Sequence, residues 1–138
     1  MADRIRRLFG THADSSWANG VSCAYLFGSY ACGRARTDSD IDLALLLSAD
    51  PPPTLDGLHL GLADALSGEL GRPVDLVVLN QAPADLVHQV LRQGELVFER
   101  DRAARIRFEV RARNAYFDLL PHLQRYRRPA APLAAQRR

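Results

Sequence analysis

The sequence predicts a layered fold of the α+β or α/β kind, a small β-sheet flanked by helices. Short apolar runs bounded by glycine and proline alternate along it with amphipathic stretches of helical period. Its 138 residues, nearly half apolar and a quarter charged, suffice for one hydrophobic core and little more.

Asp3 to Trp17 reads as an N-terminal helix, with Ile5, Leu8 and Phe9 at helical spacing. Val21 to Phe27 is an apolar run closed by Gly28-Ser29 and reads as a buried strand. A short helix is expected over Tyr30 to Arg36 and a second strand over Ile41 to Leu47, ended by Pro51-Pro52-Pro53. Thr54 is a suitable N-cap for a helix whose Leu55, Leu58, Leu62, Leu66 and Leu70 form one stripe. Gly71 and Pro73 stop that helix.

Val74 to Leu79 is a third strand. Pro83 opens a helix with Leu86, Val87, Val90 and Leu91 inward, and Gly94 ends it. Leu96 to Phe98 is expected as a fourth, edge strand. Asp101 caps a long last helix that Pro121 should kink or end. The expected organisation is a core over 1–100, a helical extension over 101–127 and a disordered Ala/Pro/Arg tail over 128–138.

The net charge of +2 is unevenly spread. Ten arginines between Arg102 and Arg138 face only Asp101, Glu109 and Asp118, which suits an acidic or phosphate-bearing partner or simply a solvated helix face. No apolar run approaches the roughly 20 residues of a membrane span, and no secretory leader is evident. A cytoplasmic location is the expectation. Cys23 and Cys32 make no disulfide framework, and His12, His59, His88 and His122 lack metal-ligand spacing.

The chemistry concentrates in acids. On a strand, Asp40 and Asp42 point to one face while Ile41, Leu43, Leu45 and Leu47 point to the other. A third acid, Asp75, interrupts the apolar run of the next strand, where an unpaired carboxylate is costly to bury. If the strands are neighbours the three gather, and two carboxylates about 4 Å apart repel by roughly 4 kcal/mol at an effective dielectric near 20. A divalent cation relieves this, and hard oxygen donors suit Mg²⁺. The plainer reading pairs these acids with Arg36, Arg72 or another arginine.

Gly28-Ser29, directly after the first strand, suits close approach of a phosphate, with Ser29 able to donate its hydroxyl. In the connection to the acids, Arg34 is preferred over Arg36 as the residue that neutralises a triphosphate. The chain has no lysine, so it has no P-loop. It also lacks a Gly-x-Gly-x-x-Gly after a strand and a Gly-x-Ser-x-Gly elbow.

Gly28-Ser29, ten intervening residues and Asp40-x-Asp42, read with Val74-Asp75-Leu76, resemble the DNA polymerase β-like nucleotidyltransferases, in particular their minimal MNT branch. With its last helix (Arg102, Arg105, Phe108, Tyr116, Asp118) the chain also resembles MntA-type antitoxins encoded beside HEPN-domain toxins. The resemblance implies a mixed sheet of the polymerase β palm type with a long C-terminal helix. It implies that Asp40 and Asp42 hold two Mg²⁺ ions, and that Asp75 is the third carboxylate, near the acceptor hydroxyl. Gly28 and Ser29, with Arg34 and Ser39 as further candidates, would bind ATP.

The implied reaction moves AMP from ATP to a tyrosine of a HEPN toxin and silences its RNase activity. One departure is Tyr30-Ala31-Cys32, where relatives often carry arginine. The chain is too short to embrace a large acceptor, so a partner or a second copy would present it, in a homo-oligomer or a hetero-oligomer with the toxin. No direct nucleic-acid substrate is expected. A sequestering antitoxin without chemistry and a small-molecule nucleotidyltransferase are the alternatives.

Overall fold

The computed structural model describes residues 1–11, 20–36, 39–48 and 58–135. Helix α1 (Ala2–Thr11) precedes strand β1 (Val21–Phe27), a 3-10 turn (Gly28–Tyr30) and strand β2 (Ile41–Leu47). Helix α2 (Leu58–Leu70), strand β3 (Val74–Val78), helix α3 (Ala84–Gln93), strand β4 (Glu95–Glu99) and helix α4 (Arg102–Ala135) follow.

The sheet order is β3-β2-β1-β4. β1 runs antiparallel to both β2 and β4, whereas β2 and β3 are parallel. The parallel pair follows from the connection: same-direction neighbours need a crossover, and α2 supplies it. The fold is therefore the expected mixed sheet flanked by helices, with β4 at an edge.

Both faces of the sheet are covered, which is why β1 and β2 read as nearly continuous apolar runs. Ile5 and Phe9 of α1 and Leu62, Leu66 and Leu70 of α2 pack on Ala24, Leu26, Ile41, Leu43 and Leu45. On the other face Cys23, Tyr25, Ala44 and Leu46 meet Val87 and Val90 of α3 and the partly buried Phe108 and Ala112 of α4. Phe9 stacks on Phe98 at 4.7 Å and ties α1 to β4. His88 stacks on Tyr116 at 3.6 Å and ties α3 to α4.

Polar side chains close the gaps between elements. The Asn80 amide accepts the Leu47 N–H at 2.9 Å and donates to the Leu47 carbonyl at 3.1 Å, imitating one more strand residue beside β2. Ser67 Oγ accepts the Val74 amide at 3.1 Å and sets the entry to β3. Asp101 Oδ1 accepts the Ala104 amide at 3.0 Å, the expected cap of α4.

The structure departs from expectation after β1 and bears on the expectation at Pro121. Tyr30 to Arg36 is not a helix: the 3-10 turn begins earlier, at Gly28, and Gly33 at φ 71° breaks any continuation. Of the two outcomes expected at Pro121, a kink or an end, the helix does not end there: the α4 backbone is helical to Ala135. Proline removes one hydrogen bond and crowds the preceding turn. Here Pro121 is exposed, and strong helix formers flank it.

Residues 12–17 of the expected first helix, the Pro51–Pro53 stop, the Thr54 cap and Leu55 lie outside the described residues, as does 136–138. Among the described residues no helix is long and apolar enough to cross a membrane.

Candidate active site

The site is built where β1 ends and β2 and β3 begin. Phe27, the last residue of β1, pairs with Asp42, and the chain then turns at Gly28. Gly28 has φ 75°, a left-handed conformation that an L side chain resists. Any Cβ there would also run into Asp42, 3.1 Å from its Cγ and closer to its carboxylate oxygen. Glycine is required twice over, once by backbone angle and once by space.

The turn is wound tightly on its own carbonyls. Gly28 O accepts the amides of Ala31 and Cys32 at 3.2 and 3.1 Å, and Ser29 O accepts the Arg34 amide at 2.8 Å. Ser29 sits in this turn, half-buried. Arg34 and Arg36 are exposed and in no ion pair among the described residues. Ser39 Oγ accepts the Arg36 amide at 2.7 Å, and the Ser39 amide donates to the Arg36 carbonyl at 3.1 Å. That oxygen is engaged in shaping the loop, with the hydroxyl proton left over for another acceptor.

Asp42 and Asp75 are register partners in the parallel β2–β3 pair. They share a face with Ala44 and Val77, opposite Ile41, Leu43 and Val74, as the strand period requires. Asp42 is half-buried; Asp75 and Asp40, one residue before β2, are exposed. Burial raises the Asp42 carboxyl above its ordinary value, and the negative charges of Asp75 and then Asp40 raise it further. Asp42 therefore stands within electrostatic reach of both other acids. None of them is in an ion pair among the described residues, so the plainer pairing with arginine does not hold there.

Among the described residues no three ligating side chains already converge on one point as a metal cage would. The donor set still fits a hard divalent cation, because it is all oxygen, anionic and partly desolvated at Asp42.

A network that the sequence pattern did not flag anchors α4 nearby. The buried Tyr25 hydroxyl donates to Glu109 at 2.6 Å, Arg105 donates to Glu109 at 3.0 Å, and Arg105 also pairs with Glu99. The i, i+4 spacing of Arg105 and Glu109 was its one visible sign.

The model of the family described as "Polymerase beta, Nucleotidyltransferase" matches residues 15–103. The chain is 46% identical over 72 residues to Protein adenylyltransferase MntA of Shewanella oneidensis, a match over 51% of this chain and 49% of that protein. It thus spans about half the length of the curated relative it matches. Among solved structures it resembles a chain of a toxin–antitoxin crystallised with AMP-PNP, with 30% identity, TM-score 0.68 and coverage of 97% of this chain and 98% of that one. A structure of a tri-AMPylated Shewanella oneidensis HEPN toxin in complex with MNT antitoxin matches at 28% identity and TM-score 0.65, covering 98% and 99%.

Proposed function

Since the chain belongs to the polymerase β nucleotidyltransferase family, we propose that it is an antitoxin enzyme that transfers AMP from ATP to a tyrosine hydroxyl of a cognate HEPN-domain toxin and thereby silences the toxin's RNase activity. The observation that carries this reading is the register pairing of Asp42 with Asp75, next to Asp40 and to a glycine turn with no room for a side chain. The relatives add support: one is a protein adenylyltransferase, and another is in complex with a tri-AMPylated toxin.

In this reading residues 1–100 are the catalytic core, and the 101–127 part of α4 is an extension that packs on the core or the partner. Asp40, Asp42 and Asp75 would hold two Mg²⁺ ions, which would supply charge neutralisation for the triphosphate in an in-line displacement. Gly28 lets the backbone approach the β- and γ-phosphates, and Ser29 donates its hydroxyl to a phosphate oxygen. Arg34, exposed on the same loop, and the remaining proton of Ser39 are further contacts for ATP.

Asp75, the outermost carboxylate, faces the acceptor and takes its proton as the tyrosine oxygen attacks the α-phosphorus. The bond from that phosphorus to the bridging oxygen breaks, and pyrophosphate leaves. Sequestration of the toxin is the second reading, favoured by Ile106, Val110 and Phe117, which α4 leaves exposed.

The deciding experiment is intact-mass measurement of the toxin after incubation with this protein, ATP and Mg²⁺. An added mass of one or more AMP units is the expected result. An unchanged mass in a toxin that is nonetheless bound and inactive would replace catalysis with sequestration.

A further inference from the structure

At the end of the sheet away from the three acids, a cleft of 670 Å³ opens between β2, the residues after β3, the start of α3 and one side of α4. Leu46, one of its lining residues, stands four places along β2 from Asp42, about 13 Å for an extended strand. The cleft is therefore separate from the acidic site, and none of Asp40, Asp42 and Asp75 lines it.

Its surface is of two kinds. Leu46, Leu79, Val87 and Phe108 provide an apolar wall, while Arg107 and Arg111 stand one turn apart on α4 at its rim. Both arginines are exposed and in no ion pair among the described residues.

Ser22 also lines the cleft, at the β-bulge where the β1–β2 register shifts between Val21 and Cys23. Its carbonyl accepts the amides of Arg100 and Asp101 at 2.8 and 3.2 Å. Its side chain is only 3% exposed, and its hydroxyl has no hydrogen-bond partner among the described residues. A buried hydroxyl left unpaired is unfavourable, and bulges are devices that re-aim a side chain.

We propose that this cleft is a second ligand site, for a phosphate-bearing small molecule of nucleotide size. The two guanidinium groups suit a phosphate, the apolar wall with Phe108 suits a flat base, and Ser22 supplies a hydrogen bond at the buried end. The volume lies within the range usual for small-molecule sites. Asp101, the one carboxylate among the residues lining the cleft, accepts the Ala104 amide and caps α4, so the two guanidinium groups hold the phosphate and binding here needs no divalent cation.

Calorimetric titration of the full chain with AMP in EDTA tests this, with inorganic phosphate and adenosine as partial probes. Saturable AMP uptake is expected, retained in Asp42→Asn and weakened at least tenfold in Arg107→Gln/Arg111→Gln, whose exposed side chains support nothing in the fold. Ser22→Val should weaken AMP several-fold while the unliganded chain melts no lower. Absence of AMP binding in EDTA, or unchanged affinity in the double arginine variant, would overturn the proposal. Binding of a glutamate-rich peptide but not of AMP would overturn it too, making the cleft a protein-docking groove.

Discussion

Gly28 lies against the carboxylate of Asp42 so closely that a Cβ would come within 3.1 Å of Cγ and 3.3 Å of Cβ of that aspartate. The backbone angle compounds the problem, since an L residue at φ 75° costs about 1–2 kcal/mol. Gly28→Ala should therefore lower the melting temperature and also push Asp42 out of place. AMP transfer should fall by roughly a hundredfold, in the range lost when a reacting geometry is displaced by about 1 Å. Parallel melting and transfer assays check this, and an active, stable Gly28→Ala would mean that the turn does not seat the carboxylate.

The Tyr25–Glu109 hydrogen bond gives a contrasting case, in which stability moves and chemistry does not. Tyr25 is 4% exposed, and burial and the neighbouring Glu109 carboxylate hold its hydroxyl far above the usual tyrosine range, so it donates and stays neutral. Tyr25→Phe removes that donor but leaves Glu109 its bond from Arg105. A loss of about 1.5–3 kcal/mol is expected for a hydrogen bond to a charged group. Urea denaturation reads it, and ATP affinity should be unchanged.

What could be read from sequence follows from which features are local. The alternation in Asp40-Ile41-Asp42-Leu43 places two acids on one face of any strand, because the side-chain period is two whatever the neighbours. The helix start at Pro83, the cap at Asp101 and the stop at Gly71 are similarly local and agree with the structure. That Asp75 stands opposite Asp42 is a matter of register between distant segments, set by the α2 crossover and by burial on both faces. Tyr30 to Arg36 misleads because helical composition does not reveal that Gly33 takes a positive φ. At Pro121 composition leaves a kink and an end both open, and α4 continues because helix-forming neighbours outweigh a single breaker. The cleft beside Ser22 depends on a bulge and a helix crossing, neither of which has a signature in this stretch.

The two cysteines should differ sharply in reactivity. Burial pushes the Cys23 thiol up to about 11, whereas Cys32 is exposed in the turn after Ser29. The thiolate is the attacking form, and at pH 8 a thiol of that kind is ionised to roughly one part in a thousand. Brief iodoacetamide treatment of the native protein should add one label, at Cys32, and treatment in denaturant should add two. A native protein labelled at Cys23 as fast as at Cys32 would contradict the buried packing of β1.

Asp42 should leave a mark on stability against pH in metal-free protein. Its folded-state carboxyl is raised above the ordinary 3.8, by burial first, then by Asp75 and Asp40. The folded chain then binds more protons than the unfolded chain between those two values, so stability falls as pH rises. The contribution is complete below 3.8 and is lost as pH passes through the raised value. Melting curves in EDTA across the acid range should show this decline, and Asp42→Asn should flatten it. Saturating Mg²⁺ should offset the decline in the unaltered protein, since a cation shared by the three acids replaces repulsion with attraction.

Asp75 offers the sharpest separation of roles within the acidic group. It is exposed and sits across from Asp42, while Asp42 lies against the glycine turn where the phosphates are proposed to lie. A carboxylate that takes the acceptor's proton acts in the chemical step, and its loss typically costs about a hundred- to ten-thousand-fold. Asp75→Asn keeps the shape, removes the base and takes one negative charge from beside Asp42. ATP affinity should change by less than about threefold while kcat for AMP transfer falls by at least a hundredfold, a pattern that belongs to an interaction made only in the transition state. Asp40→Asn and Asp42→Asn should instead weaken Mg²⁺-dependent nucleotide binding along with transfer. Were Asp75→Asn to lose ATP affinity and keep kcat, the residue would belong with the phosphate-holding acids and the acceptor would have to approach from another side.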